Sequence, residues 1–574
     1  MQSRIQKLLL LSFVACGSAW VLNPAPSKLT TPLRKNLAVS KQPVPFNHGT
    51  SYLRSLDMSE AASEPEKESF GDKMKSIIPT KTERKKIIPL AAMLFCILFN
   101  YTILRDTKDV LVVTAPGSGA EIIPFLKTYV NLPGSILFTI IYAQLNNVMS
   151  PQSVFYSCLM PFLGFFTAFA TTIYPLRDAL HPNAFADWLQ TVLPSAFDPL
   201  ISILRNWTYA VFYTLAQLWG SVVLSLLFWG FANEVTSVPE AKKYYPLFGL
   251  LANVALIFSG QYVKWVSDIR SRLPADVDAW GVSLKYLMGA VVVLGGFVAA
   301  IYNHMQQNVL TDPECVPELR AKKKKKTSTS MGLGESMKYL ASSPYIRYLA
   351  MLVIGYGMSI NIVEVTWKGK LKEAFPDPNA YAAFMGNFSS ATGAVTLVMM
   401  ILGRVILEKF GWGVAALITP VTLFITGAGF FTLILGGDKF LPIFEKFGTT
   451  PLMAACIIGA AQNIASKSTK YSLFDPSKEM AYIPLDAEQK TKGKAAIDVI
   501  GNPLGKSGGS FIQQVLIVLL GSLAASTPYL AGILFFVTGG WIVSAKNLAP
   551  LFEKAMKDKE ARDAAAAAEA EAEA

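Results

Sequence analysis

Four side chains stand where purely apolar residues are expected. They are Lys127 in EIIPFLKTYVNLP, Gln217 in YTLAQLWGSVV, Glu364 in SINIVEVTWK and Lys506 in NPLGKSGG. A charge at a bilayer centre costs roughly 2.5–3.5 kcal/mol on insertion scales, so such a residue lines a polar cavity and meets a counter-charge. Pro124 and Pro133 flank Lys127 and can open its helix to a cavity. Lysines in that setting suit phosphate, because a phosphate chain takes several cations and oriented donors. The competing reading is structural: Lys127 with Glu364, or Lys506 with Asp498, merely pair to hold helices together. Asn253, in LLANVALIFSG, can bond a polar group of a ligand or a neighbouring helix. Arg105 and Lys108, in RDTKD, form either a cavity mouth or a charged helix end. Lys467 and Lys470 can steer an anion toward the pore. Tyr101, Tyr356, Phe384 and Phe388 offer faces for stacking a planar group, although rings at helical spacing more often serve packing.

The stretch from Lys470 to Gln514 opens as a polar loop with a turn at Asp475-Pro476. It then feeds a helix carrying Asp498 and Lys506 into an apolar run that ends near Leu523. Gly501-Asn502-Pro503-Leu504-Gly505-Lys506-Ser507 superficially matches a phosphate-cradling loop. Its spacer is one residue short, and its flanks are hydrophobic helix where that loop needs a preceding strand.

The chain has 574 residues, 52% of them hydrophobic and 16% charged, with a net charge of +12 and a mean hydropathy of +0.38. Soluble domains carry about 25% charged residues, so the balance is that of an integral membrane protein. Apolar segments of spanning length occur near 88–104, 122–146, 152–174, 202–231, 245–266, 283–303, 345–364, 381–403, 412–435, 449–466, 496–523 and 528–546. The 174–201 connection has room for a short amphipathic helix. Basic residues at Lys81–Lys86, Lys242–Lys243, Lys322–Lys326, Arg404 with Lys409, and the lysines from 467 to 494 fall on one side of this arrangement. Both termini and the poly-lysine loop then share a face.

The expected fold is therefore all-α integral membrane, with twelve transmembrane helices in two six-helix, major-facilitator-like halves, at 87–303 and 345–550, around a central basic loop at 304–344. TILRDTKD and NIVEVTWK echo each other at the ends of the first and seventh spans. No CxxC, zinc-finger or other nucleic-acid-binding pattern occurs, so neither a metal site, a cofactor nor a nucleic-acid partner is expected.

The ends are set apart. Residues 1–19 have the basic start, short apolar core and small residues of a signal peptide, and 20–86 is a transit-like, disordered segment, basic at first and then charged. Together they resemble the bipartite presequence of algae with secondary plastids; the alternative is a plain secretory signal on a cell-surface protein. Residues 551–574 form a charged Ala/Glu-rich tail that can be helical but has no apolar face to bury.

SLFDPSKEMAYIPLD, followed by KGKAAIDV and NPLGKSGG, resembles the signature of plastidic and bacterial nucleotide transporters, the ATP/ADP translocases of plastids and obligate intracellular bacteria. The likeness extends through NYTILRDTKDVLVVTA, AEIIPFLKTYVNLP, YYPLFGLLANVALIFSG, SPYIRYLAMLVIGYGMSINIVEVTWK and FMGNFSS, and covers roughly Lys85 to Leu551. The resemblance implies exchange of ATP for ADP across the inner plastid envelope, with both nucleotides as substrates. It also implies that two lysines and two glutamates carry the function. The lysines fall on Lys127 and Lys506 and one glutamate on Glu364. The second falls on Gln217, where relatives tend to read AELWGS. A neutral amide there can hydrogen-bond but holds no proton and repels no phosphate. Two other readings fit: a broader nucleoside triphosphate importer, possible with proton coupling, and a membrane-anchored enzyme or scaffold. The last needs a soluble domain or a catalytic cluster, and three histidines with short loops supply neither.

Overall fold

Backbone N–H and C=O groups inside a bilayer must be satisfied within the chain, and helices do this. The computed structural model describes residues 80–312 (apart from 275), 315, 338, 342–497 and 501–572. Among them no strand occurs. The targeting segment, the poly-lysine run and Asp498 lie outside the described residues. From Thr82 onward the chain forms one compact unit.

The helices that matter here are α1 (Lys81–Thr114), α2 (Ile122–Phe125), α3 (Leu132–Val148), α4 (Pro151–Ala168), α5 (Asn183–Val192), α6 (Trp207–Trp219), α7 (Val238–Ser267), α8 (Ala279–Asn308), α9 (Pro344–Ala374), α10 (Pro378–Gly436), α11 (Pro451–Thr469), α12 (Asn502–Leu520) and α13 (Leu523–Ala572). Four of them start with a capping side chain followed at once by proline: Ser150-Pro151, Ser343-Pro344, Asp377-Pro378 and Thr450-Pro451. In each, the cap oxygen accepts a backbone N–H three residues on. The proline costs nothing there, since its missing N–H would have no helical partner. Eight helices among the described residues are long and apolar enough to cross a membrane. The all-helical membrane class expected from the sequence is the one found.

Two local features differ from expectation. Lys470 does not open a polar loop. A π-turn (Lys470–Phe474) and a helix (Asp475–Met480) continue α11 directly. Pro476 sits in the first turn of that helix, where it is tolerated, and Phe474 is buried against Tyr356 and Trp541. Second, RDTKD and EVTWK do not end their helices, because α1 runs on to Thr114 and α9 to Ala374. Their charges are neutralised by partners inside the protein, so the helices need not stop where the charges appear. The two apolar runs expected near 381–403 and 412–435 both lie in α10, which breaks between them at Gly411, whose φ of 77° and ψ of 179° suit glycine alone. The 174–201 connection does hold the short helix α5, with Phe185, Trp188 and Val192 exposed on it.

Packing uses small residues where helices cross. A Cβ on Gly357 of α9 would lie 2.5 Å from the backbone of Gly505 in α12. One on Gly386 of α10 would lie 2.5 Å from the Gly260 carbonyl of α7. Such contacts let backbones approach closely, which is how helices associate in lipid. Larger side chains anchor the core: the Trp219 indole donates to the Ile97 carbonyl at 3.1 Å and the Trp367 indole to the Cys456 carbonyl at 2.9 Å.

Candidate functional site

Between Pro124 and Pro133 the chain cannot keep a regular α-helix, and Leu126–Asn131 forms a π-turn that carries Lys127. Such bulges occur often at functional sites. All four residues of α2 before it are buried, whereas no residue of α3 after it is. The turn thus divides a fully buried segment from one that meets the core only through half-buried side chains such as Phe138 and Tyr142. The packed part is held by α12: Gln514 donates to the Pro124 carbonyl at 2.8 Å and to the Thr128 hydroxyl at 2.6 Å. Gln513 donates to the Asn361 carbonyl of α9 at 3.1 Å.

At this level α1 and α9 face each other through a run of ion pairs. Asp109 accepts from Lys108 and from Lys368, each at 2.8 Å; Lys368 also reaches Glu364 at 3.1 Å, and Lys467 of α11 reaches the same Glu364 oxygen at 3.5 Å. A second group ties α1 to α10. Arg105 contacts Asp106 at 3.0 Å and donates to the Ser389 hydroxyl at 2.7 Å, which in turn donates to Asp106 at 2.7 Å. Lys127 donates to the Asn361 side-chain oxygen at 2.5 Å, one turn before Glu364 on α9. Lys108 also lies over the Tyr213 ring of α6, 3.9 Å from its centre.

Charge bookkeeping among the described side chains of this cluster leaves a surplus of cations. Asp106 offsets Arg105, while Asp109 and Glu364 offset Lys108 and Lys368; Lys127 and Lys467 remain. Exposure follows the same division. The Lys108, Asp109 and Lys368 side chains are 4–6% exposed, whereas Glu364 is 24% and Lys467 18% exposed. The buried run acts as a clasp. The more accessible end carries the unmatched positive charge.

The structure places each expected residue as follows. Lys127, Glu364, Arg105 and Lys108 come together in this cluster, with Lys108 buried beside Asp109 and not at an edge. Gln217 is exposed and stands one helical turn from Tyr213, hence on the α6 face that borders the cluster. Lys506 lies in the second turn of α12, next to Gly505 and its close approach to α9. Gly501 to Ser507 are helical, and no strand precedes them among the described residues. Asn253 is engaged elsewhere: its amide donates to the Gly249 carbonyl at 3.0 Å and reaches the Met400 sulfur at 3.4 Å, at the α7–α10 crossing. Lys470 pairs with Asp475 at 2.7 Å and lies over Tyr356 and Tyr471. Tyr356 stacks on Phe474, and Phe384 and Phe388 pack on Trp367.

Asp106, Asp109, Lys368 and Ser389 escaped the sequence reading. A signal was present: Arg105 with Asp109, and Glu364 with Lys368, are each four apart and so share a helix face. Pairing across the α1–α9 interface could not be read from either helix alone.

Comparison with known proteins adds to this geometry. The TLC ATP/ADP transporter family model matches residues 63–552. The chain is 56% identical over 479 residues to "ADP,ATP carrier protein 2, chloroplastic" of Arabidopsis thaliana, covering 83% of this chain and 76% of that one. It is 53% identical over 500 residues to "ADP,ATP carrier protein 1" of Chlamydia pneumoniae, covering 86% and 97%. A crystal structure of a bacterial homologue of the iron transporter ferroportin, in its inward-facing state, aligns with a TM-score of 0.51 at 11% identity. That alignment covers 82% of this chain and 99% of that one, and bears on the fold alone.

Proposed function

Because the chain belongs to the TLC ATP/ADP transporter family, we propose that it exchanges ATP for ADP across a plastid membrane by alternating access. It is a transporter and not an enzyme. The observation that carries the exchange reading is the surplus of cations, Lys127 and Lys467, at the accessible end of a cluster buried among apolar helices. Unmatched positive charge at membrane depth is stabilised by a polyanion and destabilised by its departure. A carrier built this way reorients more readily loaded than empty, which is the physical basis of exchange.

The relatives' names, with their chloroplastic members, support a multi-pass plastid protein; our finer placement is the inner envelope. The architecture we favour has twelve spans in two halves of six. It counts α10 as two spans at Gly411 and adds α2–α3, α11 and α12 to the remaining long helices. In this reading Lys127 and Lys506 neutralise phosphates and Glu364 holds cations in the empty carrier. Arg105 and Lys108 belong to the clasp, Lys470 steers arriving anions, and Asn253 ties α7 to α10. The nucleotide gradient drives the cycle.

Gln217 favours a second reading, import of a broader set of nucleoside triphosphates, because it places a neutral side chain on the face bordering the cluster. Uptake of labelled ATP into proteoliposomes, some preloaded with ADP and some empty, separates the two. Uptake that requires internal ADP supports exchange. Equal uptake by empty vesicles overturns it in favour of import.

A further inference from the structure

The two carboxylates of the clasp are not equally committed. Asp109 holds Lys108 and Lys368 at 2.8 Å each and is almost fully buried. Glu364 spends one oxygen, Oε1, on both Lys368 at 3.1 Å and Lys467 at 3.5 Å. Lys368 therefore has two carboxylates, whereas Lys467 has a share of one, at the longest distance in the run. The Lys467 ammonium otherwise faces the Phe388 ring, 5.0 Å from its centre. Lys127 reaches the same stretch of α9, where it donates to Asn361 one turn before Glu364. The Glu364 carboxylate thus has Lys368 and Lys467 on one oxygen and Lys127 bonded one helical turn away, and Lys467 and Lys127 lack a tight anionic partner. One turn before Lys467 on the same face of α11, the Asn463 side-chain oxygen is buried and has no hydrogen-bond partner among the described residues. A phosphate arriving at this turn of α11 would complete the coordination of the loosely held Lys467.

We propose that Lys467 is a phosphate ligand of the transported nucleotide, that Glu364 holds it in the empty carrier, and that an arriving phosphate takes it over together with Lys127. The inference rests on the nucleotide-exchange reading above. It adds a binding residue on α11, a helix that the four intramembrane polar residues of the sequence reading do not include. A phosphate offers several charged oxygens in place of one shared carboxylate oxygen, so the transfer is favourable for Lys467 and leaves Glu364 to Lys368.

Equilibrium binding of ATP and of ADP to the purified, detergent-solubilised full chain tests it, with ligand-free melting temperature measured alongside. Lys467→Gln should weaken binding of both nucleotides by about tenfold or more, since charge-assisted bonds are the strong ones. Lys467→Arg should stay within about threefold of the unaltered protein, and the ligand-free melting temperature should change little in both. Glu364→Gln, which frees Lys467, should tighten ATP binding. Unaltered ATP affinity in a folded Lys467→Gln protein overturns the proposal. So does a loss of affinity that is matched by an equal loss of ligand-free stability and not rescued by arginine, which marks Lys467 as a helix tie. If the unaltered chain binds neither nucleotide, the exchange reading itself fails and this inference with it.

Discussion

Lys368 of α9 and Asp109 of α1 meet at 2.8 Å although 259 residues separate them in the chain. Both are nearly inaccessible, and Lys108 closes on the same carboxylate from the other side. A pair so placed holds helices at a defined register, and breaking it leaves a charge stranded. Removing one partner of a buried pair costs about 3–5 kcal/mol. Asp109→Asn should therefore lower the melting temperature of the purified protein clearly, and Asp109→Glu should lower it less. A melting temperature unchanged by Asp109→Asn would show that the clasp carries no stability.

Lys127 and Lys506 make a prediction about transport and not about folding. Lys127→Gln and Lys506→Ala should each abolish ATP uptake into ADP-loaded proteoliposomes while the protein still inserts and purifies as a folded species. Uptake at the unaltered rate by a properly inserted Lys506→Ala protein would remove that residue from the site.

At Gln217 the test is to restore a charge. Gln217→Glu places a carboxylate on the face that borders the cation cluster, where it competes with the substrate phosphates. At an effective dielectric near 20, two unit charges about 10 Å apart interact by about 1–2 kcal/mol. The apparent KM for ATP should rise roughly fivefold to thirtyfold, and dependence on internal ADP should persist. A rise in uptake by empty vesicles at acidic pH would instead identify this position as the switch between exchange and proton-coupled import.

Glycines supply an internal control. A Cβ at Gly357 would meet the Gly505 backbone at 2.5 Å, whereas one at Gly296 meets nothing within 4 Å. Overpacking a tight contact costs about 1–3 kcal/mol. Gly357→Ala should thus destabilise the folded protein and reduce transport, while Gly296→Ala should be nearly silent in both melting and uptake assays.

Much of this was legible in the amino-acid order. Helices and their membrane character follow from apolar runs of spanning length, because no other open-ended structure satisfies the backbone in lipid. Their starts follow from cap-proline pairs such as Thr450-Pro451. The unusual positions of Lys127, Glu364 and Lys506 follow from the cost of charge among apolar neighbours. All of these are local properties, and periodicity and composition report them directly.

What the order of residues did not disclose depends on which helices meet. The arrangement of Arg105, Asp106, Lys108 and Asp109 could equally have ended a helix at the water boundary. Only the arrival of Lys368 and Ser389 from distant segments allows α1 to run on to Thr114 with those charges inside. The same holds for Lys470, whose neighbours Asp475 and Phe474 turn an expected loop into helix once Trp541 and Tyr356 cover the ring. Tertiary contacts decide such cases because a buried charge or ring is stable only with its partner in place, and the partner's address is a matter of packing.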